Sequence, residues 1–266
     1  VVLYNSDILM PVCWCHYFSE FPVTYAAVVV LYISDVLIRP VPVCWCPFLP
    51  IEPIQISTTV YILQHPFEES RNLKTAPMLY QSVSPGKCHI FRGKKFPEHR
   101  YPELVDLMRQ PNTLLLFPGP DAVDILELPQ LEKGASYSLI ILDGTWSQAK
   151  NIYLSNQFMD LPTKVQINPG VKSKYVIRTQ PDDGSLSTLE TAAYAISMLE
   201  HRPDLFDVLT KPLEALCKFQ LERGACTHHS KTYKIENGLW KKKLSKKVIK
   251  RLEEKKKMQQ SDIQTS

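Results

Sequence analysis

The chain has 266 residues, room for one large domain or a domain with appendages, and 44% of them are hydrophobic, enough to pack a soluble core. Seven cysteines, four of them in two Cys-Trp-Cys pairs, exclude a secreted disulfide framework and point to a reducing compartment. The net charge of +4 is uneven: residues 241–257 hold ten Lys or Arg against two Glu, so the rest is mildly acidic and attraction for polyanions concentrates at the C-terminal end.

The N-terminal part contains a repeat. Leu3-Tyr4, Ser6-Asp7 and Pro11–Cys15 recur as Leu31-Tyr32, Ser34-Asp35 and Pro42–Cys46. Two copies do not make a solenoid, and a duplicated segment or a gene-model artefact is the simpler reading. The longest apolar stretch, Val23 to Ile38, is broken by Thr24, Ser34 and Asp35 and lacks a cationic flank on its N-terminal side, so neither a membrane anchor nor a signal peptide is expected. Cys44 and Cys46 share one face if the stretch is extended, which suits two ligands of a zinc site, although structural zinc needs four.

An α/β pattern begins at Ser57. Thr59–Gln64 reads as a strand that ends at His65-Pro66-Phe67-Glu68-Glu69, and Arg71–Tyr80 reads as a short helix. Cys88–Phe91 and Thr113–Phe117 are further strands, the second running into Pro118-Gly119-Pro120. The apolar run Leu139–Leu142 suits a strand buried on both faces, and it stops at Asp143-Gly144-Thr145-Trp146. A helix follows, with Trp146, Ala149, Ile152 and Tyr153 spaced for one inner face. Lys164–Ile167 and Lys174–Arg178 read as strands around the Asn168-Pro169-Gly170 turn, and Gln180–Ser185 as a loop. Ser187–Leu199 is then a helix, Pro203–Leu209 and Pro212–Arg223 two more opened by prolines, and Lys241–Lys257 a basic helix.

Asp143 therefore stands at the C-terminal end of a parallel strand with a helix N-terminus behind it, the place where open α/β sheets bind ligands. An N-cap aspartate or threonine in an ordinary turn would leave the same trace. His65 and Glu68 follow another strand end, where a structural hydrogen-bonding histidine is the plainer reading. Pro118-Gly119 is either a simple turn or a place where backbone amides approach a ligand. Ser187 and Glu190 make a capping box, which can also offer helix amides to a carboxylate. No GxGxxG follows any strand, so an ordinary dinucleotide site has no support.

Asp143-Gly144-Thr145-Trp146 resembles the DxTW signature of the DTW-domain family, the tRNA-uridine aminocarboxypropyltransferases. The likeness runs from about Arg39 to Lys231 and takes in His65-Pro66 with Glu68, Lys74-Thr75, the Pro118-Gly119 stretch and Ser187-Thr188-Leu189-Glu190. It implies a SPOUT-like, mostly parallel sheet flanked by helices, with a trefoil knot in the C-terminal part. The chain then divides into an atypical N-terminal segment with a degraded Cys-rich module (1–48), the DTW domain (49–232) and a basic tail (233–266).

The implied reaction moves the 3-amino-3-carboxypropyl group of S-adenosylmethionine to N3 of a tRNA D-loop uridine, giving acp3U and methylthioadenosine. Asp143 is the candidate base; Pro118, Gly119, Arg178, Ser187, Thr188 and Glu190 are the expected donor-binding residues, and His65 and Glu68 orient substrate. Trp146 stacks on a base or belongs to the core, and its place on the helix favours the core. Family members supply a second cysteine pair ahead of an Arg-Pro; Arg39-Pro40 is present but that pair is not, so substoichiometric zinc is expected at Cys44 and Cys46. The basic tail is a solvated helix, a nuclear-import signal or a phosphate contact for tRNA, consistent with a nuclear and cytoplasmic location. A non-catalytic RNA-binding factor and an S-adenosylmethionine-dependent RNA methyltransferase are the competing readings.

Overall fold

The computed structural model describes residues 43–241 and 243, apart from 72, 133, 169, 182 and 183, and two short stretches, 12–13 and 39–40. Those stretches, β1 (Val12–Cys13) and β2 (Arg39–Pro40), pair antiparallel. The rest is built on a six-stranded sheet. Its strands are β3 (Thr59–Gln64), β4 (Cys88–Arg92), β5 (Thr113–Leu116), β6 (Val123–Asp124), β7 (Ser138–Asp143) and β8 (Thr163–Gln166). They lie in the order β4-β3-β7-β5-β8-β6, and every neighbouring pair is parallel. Parallel strands need crossovers, and here helices supply them on both faces.

Successive side chains of a strand point to opposite faces, so each central strand feeds two cores. Val60 and Ile62 of β3 join Leu139 and Ile141 of β7 on one face. That face is covered by α2 (Ala76–Ser82), α5 (Thr188–Leu199) and α6 (Asp204–Leu221). Leu63, Leu115 and Ile140 point the other way, against α3 (Pro102–Met108) and α4 (Trp146–Leu154). The apolar run of β7 is thus explained by burial on both sides, and Leu139 and Ile140 are fully buried. Trp45 is also buried in the first core, while Phe48 meets Phe219 of α6 edge to face, so residues ahead of 49 contribute to this packing.

Several expectations are corrected. Pro203–Leu209 and Pro212–Arg223 form one helix, α6, with Pro212 inside it. The proline forfeits one backbone hydrogen bond, but Leu209, Pro212, Leu213 and Leu216 are all buried, and that packing keeps the helix continuous. Of the helix expected at Arg71–Tyr80 only the second half forms, as α2, which begins at Ala76 with Pro77 in its first turn; a separate short helix, α1 (Pro66–Glu69), lies ahead of it. Lys174–Arg178 is a run of turns rather than a strand. Its amides are spoken for elsewhere: Lys174 N donates to a Glu190 carboxylate oxygen at 2.5 Å, and Ser173 Oγ accepts from Tyr175 N. A short α7 (Lys231–Glu236) and the edge strand β6 carried too little periodicity to be anticipated. The basic helix expected beyond Lys241 and the repeat of the first 48 residues lie almost wholly outside the described residues. No helix among the described residues is long and apolar enough to cross a membrane.

Candidate active site

Asp143 closes β7 directly beside Gln64, the last residue of β3. It is 7% exposed, and both carboxylate oxygens are held. Gln64 Nε2 donates to Oδ2 at 2.8 Å and Thr188 Oγ1 to Oδ1 at 2.5 Å. Two of the four acceptor positions of a carboxylate remain, so the group is oriented but not exhausted. The N-cap of α4 is Thr145: its hydroxyl accepts from Gln148 N, and the Gln148 side chain accepts from Thr145 N at 2.7 Å. Asp143 is thereby relieved of capping. Gly144 is required by close approach, since a Cβ there would stand 3.0 Å from Gln148 Cβ and 3.4 Å from His65 Cβ.

Trp146 is 54% exposed, against the expectation that it belongs to the core. The inner stripe of α4 starts a turn later, at Ala149 and Ile152; Trp146 stands beyond the sheet edge and lines a cavity of about 310 Å³. Phe117, Pro118, Leu142, Gly144 and Thr188 also line it, so the cavity spans the ends of β5 and β7 and the start of α5. A second, much smaller pocket of about 20 Å³ is polar, walled by Gln64, Glu68, Lys74, Asp143, Arg178 and Thr188. The two share Gly144 and Thr188.

The remaining expected residues fall into place around these spaces. His65 caps α1: its Nδ1 accepts from Phe67 N at 3.2 Å, and its own amide donates to the Asp143 carbonyl. Burial, helped by the Lys94 and Arg71 charges, pushes its pKa below the usual histidine range and favours the neutral ring that such a cap needs. Glu68 is 7% exposed; one oxygen meets Arg71 Nε at 3.1 Å, and the other is buried with no hydrogen-bond partner among the described residues. Gly119 sits one residue beyond the cavity lining, with Asp121 Oδ1 where a Cβ would contact it at 3.0 Å. Ser187 and Glu190 complete a reciprocal capping box at α5. The Glu190 carboxylate is fully buried and accepts from Ser187 N, Ser173 Oγ and Lys174 N.

Cys44 is buried and Cys46 half-buried; the amide of Cys46 donates to Cys44 Sγ at 3.4 Å. Among the described residues no group of three or more His, Cys, Asp or Glu side chains is placed to hold a metal ion. The donor set described therefore does not fit structural zinc, which needs four ligands.

Sequence reading missed Gln64, whose only signal was a polar residue ending an apolar strand. It also missed the exposed end of β4 and the loop after it, where Arg92, Lys94, Lys95, His99 and Arg100 stand with a single acid, Glu98, within the same stretch, and Arg92 pairs with Glu69. That loop is pinned rather than loose. Gly93 N donates to the Gln64 carbonyl, Phe96 is fully buried, and Asn156 accepts from Phe96 N while donating to the Lys94 carbonyl. Lys94 lies over the exposed ring of Phe67, which packs edge-on against His65.

Fold and site together define an open parallel α/β protein with its ligand crevice at the C-terminal strand ends, a buried carboxylate dividing a mixed cavity from a charged one. The DTW domain model matches residues 38–221, and the chain belongs to that family. It is 45% identical over 211 residues to tRNA-uridine aminocarboxypropyltransferase 2 of Drosophila melanogaster, covering 79% of this chain and 83% of that protein. Against the Mus musculus protein of the same name it is 44% identical over 208 residues, 78% of this chain and 70% of that one. No solved structure matches the chain.

Proposed function

We propose that this chain is a tRNA-uridine aminocarboxypropyltransferase whose donor is S-adenosylmethionine and whose acceptor is N3 of a D-loop uridine. The observation that carries the reading is Asp143, buried at a strand end and oriented by two neutral donors where a cavity and a polar pocket meet. The larger space suits an adenosine: about 310 Å³, walled partly by Phe117, Leu142 and Trp146. The donor supplies a carbon activated by a sulfonium leaving group. The protein's task is then to align that carbon and take a proton. Asp143 removes the uridine N3 proton, the N3 lone pair bonds to the carbon next to sulfur, and the carbon–sulfur pair leaves with methylthioadenosine.

Trp146 and Pro118 are cavity walls in this scheme. Thr188 aims Asp143, and the Ser187–Glu190 box holds α5 where Thr188 can do so. His65 contributes by fixing the backbone beside Asp143 through its cap. A knotted SPOUT-like C-terminal connection belongs to the same reading; the support for it is that β8 lies between β5 and β6 and that Gln166, which ends it, and Ile167, which follows, line the cavity. A nuclear and cytoplasmic location goes with the basic tail.

Product analysis tests the reaction. Incubation with unmodified tRNA should give acp3U and methylthioadenosine in equal amounts. S-adenosylhomocysteine instead would mean methyl transfer, and neither product would leave only RNA binding.

The loop after β4 gives tRNA phosphates a fixed, basic approach to Asp143 from within the domain, complementing the tail. Replacing Lys94 and Lys95 together by Gln should raise KM for tRNA about tenfold and flatten the salt dependence of binding by one to two counterions. Donor affinity, read by calorimetry, should not change. An unaltered salt slope would remove the loop from the RNA-binding surface.

A further inference from the structure

Glu68 has an unspent acceptor in the wall of the small polar pocket. A buried carboxylate oxygen without a donor is costly, and native structures rarely leave one without a use. Its Oε2 is met by Arg71, but Oε1 is buried and has no hydrogen-bond partner among the described residues. The side chain belongs to the wall of the small polar pocket, facing a space that Asp143, Gln64, Lys74, Arg178 and Thr188 also line. At about 20 Å³ that space has room for a group of roughly one water's size, not for a ring. Its wall is bipolar, with Glu68 and Asp143 as acids and Lys74 and Arg178 as bases. A lone anion or a lone cation would meet as much repulsion as attraction there. A zwitterion with its two charges on one carbon would not.

We propose that this pocket recognises the α-amino acid end of the donor by taking in its α-ammonium group, with Glu68 Oε1 accepting a hydrogen bond from that group while the α-carboxylate stays at the pocket's mouth, facing Arg178 and Lys74. The proposal rests on the transferase reading and adds to it the means by which the four-carbon arm is selected. With adenosine in the larger cavity and the arm's charged end in the polar pocket, the carbon joining them lies near Gly144 and Thr188, which the two spaces share. Thr188 is also the residue that holds Asp143. Recognition of the arm thus brings the carbon beside sulfur, rather than the methyl group, toward the base. The raised pKa of Glu68 agrees: burial pushes it up and Asp143 adds to this, while Arg71 and Arg178 oppose, so a further positive partner is accommodated.

Two nucleosides separate arm recognition from damage to the fold. S-adenosylhomocysteine carries the amino acid end and methylthioadenosine does not. In Glu68→Gln the amide oxygen can keep the Arg71 contact, while the new NH₂ group faces the position that an ammonium would take. By calorimetry, Glu68→Gln should bind S-adenosylhomocysteine about 10- to 100-fold more weakly than the natural protein, the loss of one charge-assisted hydrogen bond. Its affinity for methylthioadenosine should stay within about twofold. Equal losses for both nucleosides, or no loss for either, would overturn the proposal and leave the transferase reading standing. If the natural protein bound neither nucleoside, the transferase reading would fail and this proposal with it.

Discussion

Asp143→Asn should leave the fold and the donor affinity nearly intact and cut acp3U formation by about 10²- to 10⁴-fold, the usual scale for losing a positioned general base. The side chains differ little in shape, and the neighbours tolerate the exchange: Gln64 Nε2 can donate to the amide oxygen, and the Thr188 hydroxyl can turn from donor to acceptor. What the amide cannot do is take the N3 proton. A capping role for Asp143 would predict near silence, because Asn caps as well as Asp, but the cap of α4 is Thr145. A donor-contact role would predict a fall in S-adenosylmethionine affinity alongside the rate. Single-turnover assays on unmodified tRNA, run beside calorimetric titration of the donor, distinguish the three. Turnover close to that of the natural protein would remove Asp143 from the chemistry.

The position of Asp143 was legible because strand burial is a local signal. Leu139–Leu142 could belong only to a doubly covered strand, and the first polar residue after it had to emerge at the sheet's edge. Its partners were not legible, because they are set by register between β3 and β7 and by the entry of α5, separations of 79 and 45 residues. Trp146 was misjudged for a related reason. Its spacing fits the inner stripe of α4, but it occupies the helix's first turn, beyond the sheet edge, where that face meets the cavity. Lys174–Arg178 has the composition of a strand, yet its amides answer to a carboxylate from another element, and composition carries no trace of that. Pro212 gave the opposite error: the local rule says stop, and burial of the helix face overrides it.

The same tie between Glu190 and the 173–178 turns makes Glu190 the residue whose loss should cost the fold most within the site. Three donors converge on its fully buried carboxylate: Ser187 N, Ser173 Oγ and Lys174 N. Glu190→Ala strands all three, at about 1–3 kcal/mol for each buried group left unmet, less what entering water and local relaxation recover. A net loss of about 3–5 kcal/mol is expected, which for a domain of this size lowers Tm by roughly 10 °C. The damage should not stop at α5. Ser173 also accepts from Tyr175 N, and the buried Tyr175 donates its hydroxyl to the Leu73 carbonyl, beside the polar pocket that Arg178 completes. The variant should therefore weaken S-adenosylhomocysteine more than methylthioadenosine, but only together with the fall in Tm. Glu68→Gln should show the first effect without the second. If Glu190 contacted the donor instead of the scaffold, Glu190→Ala would keep its melting temperature and lose affinity alone, and a thermal melt beside the two titrations decides between these outcomes.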